Sequence, residues 1–203
     1  MLRKVSWGVM TLLAALVAAY AVGNALVPTV RGGFVEELFA AKALRSFGHM
    51  AAGGVALAVG ALQFSTRLRV RRPVVHRSLG KTYVAMVVVG GVSAFLLAPS
   101  STGGVTAHFG FGILAVLWVT SALVAVARVR AGDYDGHRAW MIRSYSRCLA
   151  AVTLRIYLPI SAVAGIPFEE AYPAISWLCW VPNLVVAEWL LVRSSIVPVD
   201  ATA

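Results

Sequence analysis

Acidic residues are scarce: eight Asp and Glu stand against 18 Lys and Arg, and charged residues of both signs make up only 13% of 203 residues. Cysteine is scarcer still, with Cys148 and Cys179 both inside apolar runs. No CxxC pair occurs, so a disulfide scaffold is excluded and both thiols read as small core residues. A nucleotide-binding glycine loop, a metalloprotease motif and a nucleophile elbow are all missing. The stretches GGFVEEL and STGGV are too short and too badly placed to cradle phosphate. Histidine occurs only four times.

What is plentiful is apolar sequence. Hydrophobic residues reach 60% and the mean hydropathy is +0.81, beyond the usual range of soluble domains. The expectation is an all-α integral membrane protein, one domain over residues 1–203. Six runs are long enough to span a bilayer, at about 7–27, 47–65, 82–98, 106–127, 139–165 and 173–192. The first reads as a spanning helix rather than a cleaved signal, because it is too long for a signal h-region. Pro28, Pro73, Pro99, Pro167 and Pro173 lie at or near run ends, while Pro159 and Pro182 fall inside runs five and six and predict kinks.

The net charge of +10 is read through its placement. Arg3 and Lys4 precede the first run; Arg67, Arg69, Arg71, Arg72, Arg77 and Lys81 lie between the second and third. Arg128, Arg130 and Arg138 lie between the fourth and fifth, and Arg193 follows the sixth. The opposite loops hold Glu36, Glu37, Glu169 and Glu170, with only Arg31, Lys42 and Arg45 to balance them. The positive-inside rule then puts both termini on the cytoplasmic side of the cytoplasmic membrane. The stretch TRLRVRR is accounted for by topology and anionic lipid, so the partner is the bilayer and not nucleic acid.

VVHRSLGKTY before the third run resembles DGHRAWMIRSY before the fifth, so the core reads as two similar hairpins, spans 2–3 and 4–5, flanked by spans one and six. Each histidine opens one of the four central spans. On the topology above, His49 and His108 lie at the outer face, and His76 and His137 at the cytoplasmic face. Haem iron takes two axial ligands from opposite sides of a flat ring, and histidines on facing helices supply them. Two haem b groups are expected, one ligated by His49 and His108, the other by His76 and His137, on the order of 20 Å apart. Zinc or copper would lack ligands, since no carboxylate or thiol accompanies either pair.

Three of the four histidines are followed four residues later by glycine: Gly53, Gly80 and Gly112, with Met141 in the fourth case. Positions i and i+4 share a helix face, so each such histidine has a bare patch beside it. His49's face continues through Ala56 and Gly60 as an apparently smooth stripe. Small residues at this spacing also let membrane helices approach without any guest. Arg155 shares a face with His137 five turns on and is a candidate partner for a haem propionate at the outer position. Arg143 and Arg147 lie one turn apart, and Glu188 is at the depth to pair with one of them. Arg77, Lys81 and Arg138 form a cationic mouth that suits an anionic reductant or simply follows topology. Tyr83 is placed between a haem and the helix of His76.

FGHMAAGGVALAVGALQF, HRSLGKTYV, HRAWMIRSY, LRIYLP and WLCWVPNLVVAEW resemble a bacterial family of predicted membrane proteins of unknown function, over about residues 40–192. The order of the histidines also resembles, in pattern rather than sequence and with shorter intervals, the ascorbate-reducible transmembrane cytochromes b. That resemblance implies ligands on helices two and four and on three and five, with six-coordinate irons. It also implies electron flow from a cytoplasmic donor at His76/His137 to an external acceptor at His49/His108. The competing expectation is a non-enzymatic partner subunit or small-solute permease with structural His and Arg networks. Asn24, Gln63, Asn183 and Glu188 are too scattered to line a continuous polar path.

Overall fold

The structure, a computed structural model, describes residues 2–196. Nine α-helices occur among them: α1 (Leu2–Leu26), α2 (Gly33–Gln63), α3 (Thr66–Arg71), α4 (Pro73–Leu97), α5 (Gly104–Arg130), α6 (Tyr134–Cys148), α7 (Ala150–Val163), α8 (Phe168–Leu178) and α9 (Val181–Ile196). Short 3₁₀ turns at Pro28–Val30 and Ala98–Ser100 complete the path, and the described residues contain no strand.

Local chemistry sets the ends. Pro73 opens α4, where its missing N–H has no partner to lose. Ser65 caps α3 by accepting from Leu68 N–H at 3.3 Å, and Asp133 caps α6 by accepting from Gly136 N–H at 2.8 Å. Gly103 enters α5 at φ 97°, and a Cβ there would also meet Pro173 Cγ at 2.8 Å, so glycine is required twice over.

Five helical segments are long and apolar enough to cross a membrane: Trp7–Leu26, Pro73–Ser100, Gly104–Arg130, Tyr134–Val163 and Phe168–Arg193. The last two are each assembled from two helices, α6–α7 and α8–α9. The expected second span, 47–65, lies within α2 and is not among the five. α2 begins at Gly33, well before that run, and passes through a non-helical residue, Lys42 (φ −149°, ψ 53°).

The interior is a ring of four helices in which α2 packs on α4, α4 on α5, α5 on α6, and α6 back on α2. The pairs α2/α5 and α4/α6 therefore stand across the ring from each other. α1 lies outside α2 and touches α7, α8 fills between α5 and α7, and α9 lies on α6. α2 and α4 run antiparallel in a defined register. Lys42 bonds Ser100, Gly48 meets Ser93, Gly53 meets Gly90, Gly60 meets Tyr83, and Gln63 meets Gly80.

Of the two kinks expected in the last two spans, the one at Pro182 coincides with a break between helices. α7 stays helical through Pro159, and the chain breaks at Leu149 and at Cys179–Trp180, the latter just before Pro182. Side chains from the opposite partner bridge the carbonyls at both breaks. Asn183 Nδ2 donates to Ser146 O (3.3 Å), Thr153 Oγ1 (3.0 Å) and Cys179 O (2.9 Å). Thr153 Oγ1 donates to Leu149 O at 3.0 Å and lies 2.5 Å from Cys179 O. Inside a bilayer no water can take over these carbonyls, so an interrupted helix needs such donors.

The middle of the ring is densely filled. Ala56, Leu57, Tyr83, Val87, Trp118, Ala122, Tyr145 and Cys148 form one buried cluster. Tyr145 Oη donates to Leu57 O at 3.0 Å, and Tyr83 Oη shares a 2.9 Å hydrogen bond with Ser144 Oγ. Gly60 is the notch that admits both rings: a Cβ there would lie 2.5 Å from Tyr145 and 2.8 Å from Tyr83. The stripe read along Ala56 and Gly60 is therefore covered by tyrosines, and it is bare only near Gly53. Tyr83 belongs to this plug rather than to the surroundings of His76.

Candidate functional site: two histidine-bearing ends of the helix ring

The dense middle leaves a histidine-bearing end on either side. At one end, His49 Nδ1 donates to Gly90 O of α4 at 3.3 Å, and His108 Nε2 donates to Ser101 O, just before α5, at 3.1 Å. At the other, His137 Nδ1 donates to Ala125 O of α5 at 2.8 Å. His76, in the first turn of α4, is close enough to His137 for the two rings to interact electrostatically. His49 and His108 thus belong to one diagonal helix pair, α2/α5, and His76 and His137 to the other, α4/α6.

A carbonyl can only accept, so the bonds at His49 and His137 fix the proton on Nδ1 and leave Nε2 with its lone pair when the ring is neutral. This is the orienting arrangement that ligating histidines use. His108 is turned the other way, and its ring must release Ser101 before Nε2 is free. His76 Nδ1 is buried with no hydrogen-bond partner.

The glycines separate into two groups. A Cβ on Gly54, Gly60, Gly90 or Gly110 would come within 3.2 Å of a neighbour or closer, and one on Gly91 would collide with Val119. Those five permit close helix approach. Around Gly53 a Cβ would meet nothing within 4 Å, at Gly80 only Gln63 Oε1 at 3.5 Å, and at Gly112 only Ala98 Cβ at 3.8 Å. Of the three glycines one turn after a histidine, only Gly53 faces open space, as Gly8 and Gly23 of α1 also do; at Gly80 and Gly112 a Cβ would make an ordinary van der Waals contact. The fourth histidine is followed by Met141, which packs on the core cluster.

The arginines divide as well. Arg143 holds Glu188 with two charge-assisted hydrogen bonds, Nε to Oε1 at 2.6 Å and Nη2 to Oε2 at 2.7 Å, and its guanidinium lies over Trp140. Arg147, 7% exposed, donates Nη1 to Arg143 O at 2.8 Å and leaves Nε without a partner. Arg155 donates Nη1 to Ala151 O at 2.9 Å and lies over the Tyr20 ring of α1, 4.8 Å from its centroid. It is near enough to His49 and to Tyr172 to act on both electrostatically. The ion pairs among the described residues are Arg128–Asp133 and Arg143–Glu188, so Arg155 has no carboxylate in contact.

Gln63, in the last turn of α2, was passed over in the sequence as an isolated polar residue. Its Nε2 is buried without a partner, and its Oε1 is the neighbour of Gly80. Only the antiparallel register of α2 and α4, which pairs 63 with 80, could have marked it. No group of three or more His, Cys, Asp or Glu side chains able to hold a bare metal ion occurs among the described residues.

Long apolar helices and helix breaks satisfied by neighbouring side chains define an all-helical, multi-pass membrane protein. The chain belongs to the family described as "Predicted membrane protein (DUF2306)", whose model matches residues 46–191. That stretch contains all four histidines, the three glycines that follow them, and Arg155. Neither a curated protein nor a solved structure matches the chain.

Proposed function

We propose that this protein is a di-haem b-type cytochrome that carries electrons across the cytoplasmic membrane, with α2 supplying a sixth crossing and both termini on the cytoplasmic side. The observation that carries this reading is the coincidence of two patterns. Each histidine end belongs to a diagonal helix pair of the ring, and the glycines one turn after His49, His76 and His108 lack the contacts of 3.2 Å or less that a Cβ would make at Gly48, Gly54, Gly60, Gly90, Gly91 and Gly110. A guest that is broad, flat and ligated from both sides suits such a place. A structural histidine needs neither the room nor the lone pair.

On this reading His49 and His108 hold one haem and His76 and His137 the other. Bound haem supplies reversible one-electron chemistry at each end. The chain's own residues do the rest. Gly90 O and Ala125 O orient the imidazoles of His49 and His137 through their Nδ1 protons. Arg155, with no carboxylate in contact, supplies a cation beside the His49 end for an acidic edge of the guest. The Tyr83–Trp118–Tyr145 plug keeps water out of the middle of the bundle. Arg77, Lys81 and Arg138 give the cytoplasmic mouth a positive potential that draws in an anionic donor.

The competing reading, a permease or partner subunit with structural histidines, finds some support in the Arg143–Glu188 pair and the Asn183 bracket, which are structural networks. It leaves the glycines one turn after three of the histidines unexplained. The test is haem content in single His→Ala variants that still insert. On the proposal, His49→Ala and His108→Ala remove the same haem, and His76→Ala and His137→Ala remove the other. Variants that all retain full haem would overturn it.

A further inference from the structure

One ligand candidate has no orienting partner on its ring. His49 and His137 each give their Nδ1 proton to a backbone carbonyl, and His108 also bonds a carbonyl, but His76 Nδ1 is buried and bare. His76 lies in the first turn of α4, directly after the surface helix α3. An acceptor without a partner lies across the α2–α4 contact: Gln63 Oε1, packed on Gly80 one turn along from His76. Its Nε2 is bare as well. Two buried polar atoms without partners thus lie about a helical turn apart across the α2–α4 contact.

We infer that Gln63 is the positioning residue for His76: with haem bound, its Oε1 accepts the His76 Nδ1 proton, and its Nε2 is left to donate to the guest. This rests on the haem reading above and assigns a role within it. A carboxamide serves both needs because it carries an acceptor and a donor on one planar group. An acceptor on Nδ1–H makes the ring a stronger electron donor through Nε2, so its strength sets how readily the iron is reduced.

The test is redox titration of the wild type, Gln63→Glu and Gln63→Leu, with the His76 haem identified as the one lost in His76→Ala. Glu, a stronger acceptor, should lower the midpoint potential of that haem. Leu, which offers no acceptor, should raise it, and Gln63→Asn should fall between Leu and the wild type. The His49/His108 haem should be unmoved in all three. Two haems whose potentials ignore every substitution at position 63 would overturn this role while leaving the cytochrome reading intact. A protein that binds no haem would overturn both. Should Gln63→Leu fail to fold, the isosteric Gln63→Glu still decides the matter.

Discussion

Alanine at two glycines of the same helix, Gly53 and Gly60, should have opposite consequences. At Gly60 a Cβ would lie 2.5 Å from Cδ2 and Cε2 of Tyr145 and 2.8 Å from Cε2 of Tyr83. Neither ring can slide away: Tyr83 is 0% and Tyr145 2% exposed, and their hydroxyls are tied to Ser144 and Leu57. Overpacking of this kind costs about 1–3 kcal/mol, and a displaced hydrogen bond adds about 1 kcal/mol. The helix-propensity gain of alanine over glycine offsets roughly 1 kcal/mol, so a net loss of about 1–3 kcal/mol is expected. At Gly53 the same Cβ meets nothing within 4 Å, which leaves the propensity gain alone. Gly53→Ala should therefore be neutral or slightly stabilising. Both cysteines are buried and unpaired, so a thiol-reactive fluorophore reports unfolding as the detergent-solubilised protein is heated. For a chain of this size about 2–4 °C corresponds to 1 kcal/mol. Gly60→Ala should melt several degrees below the wild type, and Gly53→Ala at or just above it. Equal losses at the two positions would refute the claim that Gly53 faces room. The larger Gly53→Leu extends the test, since it should fold but lose one haem.

Four further outcomes follow from the same geometry. Arg143→Met leaves Glu188 without its two charge-assisted hydrogen bonds and, with that side chain 42% exposed, should cost about 1–2 kcal/mol. The double variant with Glu188→Leu should recover most of that in the same thermal assay. Asn183→Leu removes the amide that joins the two helix breaks through Ser146 O and Thr153 Oγ1, and a melting loss corresponding to about 1–3 kcal/mol is expected. A sixth crossing by α2 puts both termini on one side, so reporters fused to the N- and C-terminus should both read cytoplasmic. Opposite sides would mean five crossings. Arg155→Gln should lower haem retention at the His49/His108 end during detergent washing without changing the other haem, and equal loss at both would argue against a local role.

The spans were legible because a bilayer demands about 20 apolar residues whatever their order, and the charge of the connecting segments shows through any helix packing. What stayed hidden is what depends on a neighbour. The break at Leu149 has no glycine or proline to mark it, and its carbonyls are satisfied by Asn183 and Thr153. Pro159 was read as a kink, and α7 carries it in its interior without ending there. The second run was read from 47, yet α2 starts at Gly33, because a helix continues through the polar residues Glu36, Glu37, Lys42 and Arg45 with only a kink at Lys42. The glycines at i+4 were visible in the sequence, but their meaning was not. Gly53 and Gly60 lie on one helix, and only the placement of Tyr83 and Tyr145 makes one a vacancy and the other a notch. That Glu188 pairs with an arginine of the fifth span was legible from depth, but that the partner is Arg143 and not Arg147 was not.

The most direct test of the central claim is the visible absorption spectrum of the purified protein, oxidised and dithionite-reduced, with haem quantified per polypeptide after expression with ample haem supply. The account predicts a sharp reduced α-band and two haems per chain. A folded, monodisperse protein with no absorption in the visible would contradict it.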